Sequence, residues 1–271
     1  MDALLELVTS GLTVYDLSHP MEYGMPRAPV HPEFRMNLVR RHGDAFRPDG
    51  TSASSEIIIT GGHVGTHVDA LAHFSLDGKL HGGADAEQAQ RGGRFSSHGI
   101  DAVQPRLCRG VLLDVAGVAG VESLPGGHAI GPDELERAAS AHGVELREGD
   151  VVFVRTGWSA NYGDVDAFRG HVTGVPGVDE PGARWLADHG AVMQGSDTIN
   201  YEVIPPGQGS RVLPVHRLLL VERGINILEI CNLDPVAQAG VHEFTLVLAP
   251  LNIVGATGAP ARLLALTSGP R

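Results

Sequence analysis

Very little in this chain points to a stapled, exported or nucleic-acid-bound protein. Cys108 and Cys231 are the only cysteines in 271 residues, far apart and in apolar surroundings. A disulfide framework is therefore not expected, and two buried thiols in a reducing compartment are. No stretch reaches the roughly 20 apolar residues that cross a bilayer. The acidic opening MDALLELVTS also lacks the basic start and apolar centre of a signal peptide. The expected location is the cytoplasm, with no membrane partner. Basic runs interleaved with aromatics are missing too, and a formal charge of −12 disfavours nucleic acid. No GxGxxG follows a strand to open a helix, which leaves a nucleotide cofactor unsupported; GATGAP at Gly255–Pro260 reads as a tight turn. VRTGWS is not a GxSxG nucleophile elbow, which argues against serine hydrolase chemistry.

What is there describes a compact globule: 42% hydrophobic residues, 19% charged residues and no composition break that marks a linker. We expect one domain over residues 1–271. Asp2–Val8 reads as a short amphipathic helix, Thr13–Leu17 as a strand, and Pro20–Gly50 as a proline-punctuated loop able to cover a site or reach a partner subunit. Glu56–Thr60 is a β-branched strand and Arg109–Gly117 a buried one. Pro132–His142 is a helix with acids in its first turn and Gly143 at its end, followed by a strand at Asp150–Thr156, an order that predicts a parallel unit. Asp179 can cap a helix through Gly182–His189, and Ala191–Gln194, Ile225–Ile230, Phe244–Leu248 and Arg262–Leu266 supply further strands. The fold class is α/β.

The densest chemistry lies in HVGTHVDALAH, residues His63–His73, where three imidazoles and a carboxylate fall within eleven residues beside glycines. On an extended segment residues two apart share a face, so His67 and Asp69 point the same way, and Gly65 lets His63 join them. Imidazole nitrogen and carboxylate oxygen suit Zn²⁺ or Mn²⁺ with open positions for water. A helical HxxxH is the weaker reading, since Val64, Gly65 and Thr66 disfavour a helix and the HExxH glutamate is absent. His63, His67 and Asp69 are the candidate metal ligands, and His73 is the candidate general base.

The same stretch resembles the HxGTHxDxPxH signature of the Cyclase family, which includes bacterial kynurenine formamidases, isatin hydrolases, relatives acting on dienelactones and proteins assigned to polyketide cyclisation. DLSHPM at Asp16–Met21, RTGW at Arg155–Trp158, GSDT at Gly195–Thr198, PVHRLLL at Pro214–Leu220, ILEICNLD at Ile227–Asp234 and LNIVGATGAPAR at Leu251–Arg262 extend the resemblance over most of the chain. It implies a single-domain swivelling β/β/α fold with a mixed sheet, a homodimer or higher oligomer, a Zn²⁺ or Mn²⁺ site, and metal-dependent opening of a small cyclic or aryl amide, formamide or lactone. Cyclisation of a polyketide by enolisation and aldol closure is the alternative. Ala70-Leu71-Ala72 replaces the family's small residue and proline. Binuclear members recruit a later His and Glu. His171 is a possible counterpart of that His, and Glu180 sits at an uncertain offset for the Glu, so a single ion is expected.

Other residues stand out. His216 sits in PVHRLLL among apolar neighbours, and Glu229 interrupts INILEI; both are expected to be buried and paired, His216 with a catalytic role. Asp197 follows a strand end, where α/β folds place functional groups or caps. Trp158 is a candidate pocket wall, as is the IPPGQG loop at Ile204–Gly209, while Thr66 and His216 are candidate oxyanion donors.

Overall fold

Continuous apolar runs build the centre of the sheet. VLLD and VVFV have no polar face to turn outward, the pattern of strands covered on both sides. The computed structural model describes Thr9 and residues 11–268, so the helix expected at Asp2–Val8 lies outside the described residues. In chain order the strands are β1 (Leu12–Asp16), β2 (Arg35–Arg40), β3 (Ser55–Ile59), β4 (His67–Asp69), β5 (Gln90–Arg91), β6 (Arg94–Phe95), β7 (Arg106–Asp114) and β8 (Ala129–Ile130). They continue with β9 (Val151–Arg155), β10 (Gly177–Val178), β11 (Met193–Ser196), β12 (Asn226–Glu229), β13 (Glu243–Leu248), β14 (Gly258–Pro260) and β15 (Leu264–Ser268). Nine of them form one mixed sheet in the order β1-β15-β13-β7-β9-β11-β12-β4-β14. Its centre, β7-β9-β11-β12, is parallel, and both flanks are antiparallel. The α/β class with a mixed sheet is the one expected.

The two-residue alternation of β7 and β9 sorts the core. Val111, Leu113, Val152 and Val154 face the helices, while Leu112, Val151 and Phe153 face the opposite cluster with Leu228 and Phe244. The helix Pro132–His142 crosses from β7 to the parallel β9 and ends at Gly143, whose φ of +65° gives its N–H access to the last carbonyls. Asp179 caps the helix Glu180–Asp188 by accepting from Gly182 N at 2.7 Å. A further helical segment, Pro214–His216, continues as a wide π-turn through Arg217–Arg223, with Leu218, Leu219 and Leu220 buried against the core.

Three expectations change. The loop at Pro20–Gly50 contains β2, which pairs antiparallel with β3. Both strands are exposed along their whole length, so no one-sided apolar pattern marks β2. Cys108 is half-buried, whereas Cys231 is fully buried, and both are free thiols. Trp158 belongs to the core: its indole Nε1 donates to Phe168 O at 2.8 Å. No helix among the described residues is long and apolar enough to cross a membrane.

Candidate metal centre

Strand β4 is three residues long and lies between two partners from the far end of the chain. Its register sets Glu229 of β12 and Pro260 of β14 opposite His67, and Ile227 and Gly258 opposite Asp69. Cross-strand partners share a face, so Glu229 joins His67 and Asp69 there. His63 precedes the strand on a tight turn. A Cβ on Gly62 would stand 2.4 Å from Gly258 O, and one on Gly258 would stand 2.6 Å from His63 Cε1. Only glycine at both positions lets the turn close onto β14.

His67 Nε2 lies 3.3 Å from Asp69 Oδ1 and 3.3 Å from Glu229 Oε2. Its other nitrogen, Nδ1, is 2.7 Å from Gly65 O, which fixes it as a donor and turns Nε2 inward toward the two carboxylates. His63 Nδ1 is 2.6 Å from Asp69 Oδ1, with Nε2 2.9 Å from Thr257 Oγ1. His216 Nε2 stands 3.3 Å from Glu229 Oε1 and 3.7 Å from Asp69 Oδ2. Behind it, Glu202 Oε1 is 2.6 Å from His216 Nδ1 and accepts from His216 N, while Oε2 accepts from Val215 N. A buried carboxylate thus orients the His216 ring.

His67 Nε2, Asp69 Oδ2 and Glu229 Oε1 are buried and have no hydrogen-bond partner. Buried polar atoms are nearly always satisfied. Three orphans converging from two imidazole- and carboxylate-bearing strands are what a cation would satisfy. Their nitrogen and oxygen chemistry fits a divalent ion such as Mn²⁺ or Zn²⁺. Two sets of atoms converge closely enough for this, His67-Asp69-Glu229 and His63-Asp69-His73, and Asp69 is common to both.

The electrostatics follow from burial among opposite charges. Burial pushes the His67 imidazole down, but the negative charge of the adjacent Asp69 and Glu229 carboxylates outweighs it and holds the group up at about 10. His216 behaves alike, pushed down by burial and held up at about 10 by Glu202 and Glu229. Burial raises Asp69, yet the neighbouring His73 and His63 bring it well below the usual carboxylate range. Burial also dominates His73, lowering it to about 4.

The cluster opens into a cavity of about 230 Å³ whose wall includes His31, His63, His73, Phe74, His216 and Glu229. The His73 ring centre lies 3.9 Å from that of His63 and 6.2 Å from that of His216. Ile230, also in the wall, has φ +54°, a left-handed conformation that is costly for a β-branched residue. Thr66 Oγ1 donates to Ile230 O at 2.6 Å and accepts from His19 N at 3.0 Å, so its proton is already engaged.

The structure therefore gathers His63, His67, Asp69, His73 and His216, and adds Glu229. It leaves out the residues considered for a second ion: Glu180 pairs with Arg184 and Arg217 at 3.0 and 3.1 Å, and exposed His171 lines an adjoining chamber rather than the cluster's own cavity. Asp197 is also apart, its Oδ1 accepting from Thr156 N and Oγ1. Sequence reasoning missed Glu202 and His31. Glu202 had a signal, as a lone charge in the uncharged run INYEVIPP; His31, in a loop, had none.

The profile of the Cyclase family, described as "Putative cyclase", matches residues 15–203. The chain belongs to the Cyclase family. Over 267 residues it is 26% identical to isatin hydrolase of Roseibium aggregatum, a match spanning 96% of this chain and 94% of that one. A solved structure titled as a novel cyclase superposes with a TM-score of 0.85 at 26% identity, covering 94% of this chain and 88% of that one. Isatin hydrolase A from Ralstonia solanacearum gives a TM-score of 0.73 at 24% identity, covering 97% and 95%, a likeness of fold. For a Cyclase-family chain the signature histidines fall where the buried cluster is.

Proposed function

We propose that this Cyclase-family chain is a metal-dependent hydrolase that opens a small cyclic or aryl amide, formamide or lactone. The observation that carries the reading is the convergence of the three orphaned atoms on His67, Asp69 and Glu229 at the end of a small cavity. These residues, with His63 as a further nitrogen beside Asp69, would hold one Mn²⁺ or Zn²⁺. A divalent cation there supplies Lewis acidity, acidifying water and polarising a carbonyl.

The chain's own groups do the rest. His73 faces the cavity and takes the proton of the attacking water as it adds to the carbonyl carbon. It returns that proton to the leaving nitrogen or oxygen, and a carboxylate product remains. His216, held by Glu202, directs its Nε2 toward the same space and steadies the negative charge that develops. Phe74 and Ile230 narrow the wall and limit access of bulk water. The 26% identical isatin hydrolase supports the hydrolytic reading. A large chamber adjoining the cavity favours one second reading, enolisation and intramolecular aldol closure of a longer substrate.

We further propose that the β2–β3 hairpin packs against a second copy of the chain, as the family resemblance implies. An isolated two-stranded hairpin is marginal in water, and this one exposes Met36, Leu38, Ile57, Ile58 and Ile59.

The test of the catalytic reading is turnover of isatin, N-formylkynurenine and dienelactones by protein stripped and reloaded with Mn²⁺ or Zn²⁺, beside His73→Ala. Metal-dependent hydrolysis lost in the variant supports it. Tight cation binding with no hydrolysis, and ring closure of a poly-β-keto substrate, would replace it with the cyclisation reading.

A further inference from the structure

The inner cavity is small for a complete ligand site. At about 230 Å³ it falls below the roughly 300–1,000 Å³ usual for such pockets. A chamber of about 910 Å³ adjoins it, and Ala28, Val30, Ile199, Asn200 and Ser210 belong to both walls. Much of the chamber is apolar, but its charge is lopsided: Arg169 and Arg211 stand against Asp166 alone. In a chain with a formal charge of −12, that is a local reversal of sign.

The two arginines have different occupations. Arg169 Nε donates to Arg27 O at 2.9 Å and so braces the segment that carries Ala28 and Val30, while its Nη1 lies 3.8 Å from Asp166 Oδ1. Arg211 has no such employment. Among the described residues, no hydrogen bond or ion pair engages its guanidinium. It closes the short turn Gly209–Arg211, and the residue before it is anchored: Asn200 Nδ2 donates to Ser210 Oγ at 3.1 Å. Asn200 and Ser210 are also wall residues of the inner cavity. An exposed, unengaged arginine thus stands on the chamber wall, next in sequence to a residue anchored at the border of the inner cavity.

We propose that the chamber receives the far end of an extended substrate whose reacting carbonyl lies at the histidine–carboxylate cluster, and that this far end is an apolar or aromatic body bearing a carboxylate held by Arg211. This rests on the hydrolytic reading above and names its substrate class: an anionic amide or lactone longer than a bare bicycle. Arg211 is the specificity residue, because a planar guanidinium presents paired donors that match a carboxylate. His171 lies in the same wall and adds a second donor.

The experiment compares three substrates on the metal-loaded enzyme: isatin, isatin carrying a carboxybutyl chain on its aromatic ring, and the methyl ester of that acid. Wild type is measured against Arg211→Ala and Arg211→Gln, exposed-loop changes whose folding is checked by thermal midpoint. In wild type the acid should exceed the ester about tenfold in kcat/KM, or 1.4 kcal/mol, chiefly through KM. Both variants should erase that preference and leave isatin and the ester unchanged. Equal use of acid and ester by wild type, or an equal loss on all three substrates in the variants, would overturn the proposal. If none of the three is hydrolysed, and N-formylkynurenine and dienelactones are not either, the hydrolytic reading fails by itself. The chamber is then judged by calorimetry with the ring-opened acid: about tenfold tighter binding to wild type than to Arg211→Ala upholds the anion site, and equal binding refutes it.

Discussion

The β4–β12 cluster and the β2–β3 hairpin are mirror images in chemistry. In the first, His67, Asp69 and Glu229 are at most 5% exposed although they are the polar residues of their strands. In the second, Met36, Ile57, Ile58 and Ile59 are about half exposed or more although they are apolar. Each reverses the ordinary sorting of polar outward and apolar inward, and such reversals are the informative ones. The cluster tolerates burial because its charges face one another across a strand pair; the hairpin's apolar face is the one the proposed second copy would cover. One inversion is resolved inside the chain; the proposal above has the other resolved outside it.

That contrast can be broken first at the cluster. Asp69 is common to both convergent sets, so Asp69→Asn should abolish stoichiometric Mn²⁺ or Zn²⁺ binding by calorimetry. It should also lower kcat/KM roughly 10³-fold, since several kcal/mol of charge stabilisation depend on the cation. Retained binding would mean that the orphaned atoms are not a cation site.

A second prediction uses a buried carboxyl outside the cluster. Burial raises Asp197 to about 6, against which the hydrogen bonds from Thr156 act. An unfolded Asp titrates near ~3.9, so the native state binds this proton more tightly. The group's contribution is most favourable below pH ~4, falls as pH rises toward 6, and is least favourable above it. Asp197→Asn should therefore gain ~2 kcal/mol on wild type between pH 4 and pH 8 in urea unfolding. A constant difference across that range would refute the assignment.

Between these in character is Glu202, whose work is to hold His216. Glu202→Gln should lower kcat about 10–100-fold with little change in KM and should shift the acid limb of the pH–rate profile, as a supporting carboxylate does. A purely structural role would instead move the thermal midpoint and leave the profile in place. The smallest effect belongs to the hairpin. Ile58→Glu should change monomer stability by less than about 0.5 kcal/mol while shifting the sedimentation profile from dimer toward monomer. An unchanged profile would leave the exposed apolar face to some other covering surface.

How far the sequence carried depended on whether a signal was local. Strands β7 and β9 and the helix between them were legible because unbroken aliphatic runs and a capped amphipathic turn state their structure within a dozen residues. His67 and Asp69 were legible because a period of two puts them on one face. Glu229 showed as a charge inside an apolar run, but its partner did not, because only the register of β12 against β4 brings it opposite His67. The same distance hid which later His and Glu lie near the motif. His171 and Glu180 were plausible by type and order, but the fold sets them apart from the cluster and brings His216 and Glu229 beside it. Strand β2 was unreadable for the opposite reason, having no buried face to leave a pattern.

The three-residue strand β4 carries a consequence for how the chain matures. Its hydrogen-bonded neighbours are β12 and β14, some 160 and 190 residues downstream, so none of its edges is satisfied by nearby sequence. Contacts of such long separation cost loop-closure entropy before they repay it and form late. On a growing chain the signature histidines emerge early and wait, unclosed, until Glu229 and the strand beyond it arrive. Uptake of the proposed ion would then be a final event of assembly, and a protein lacking its last third would carry the full motif without the cluster.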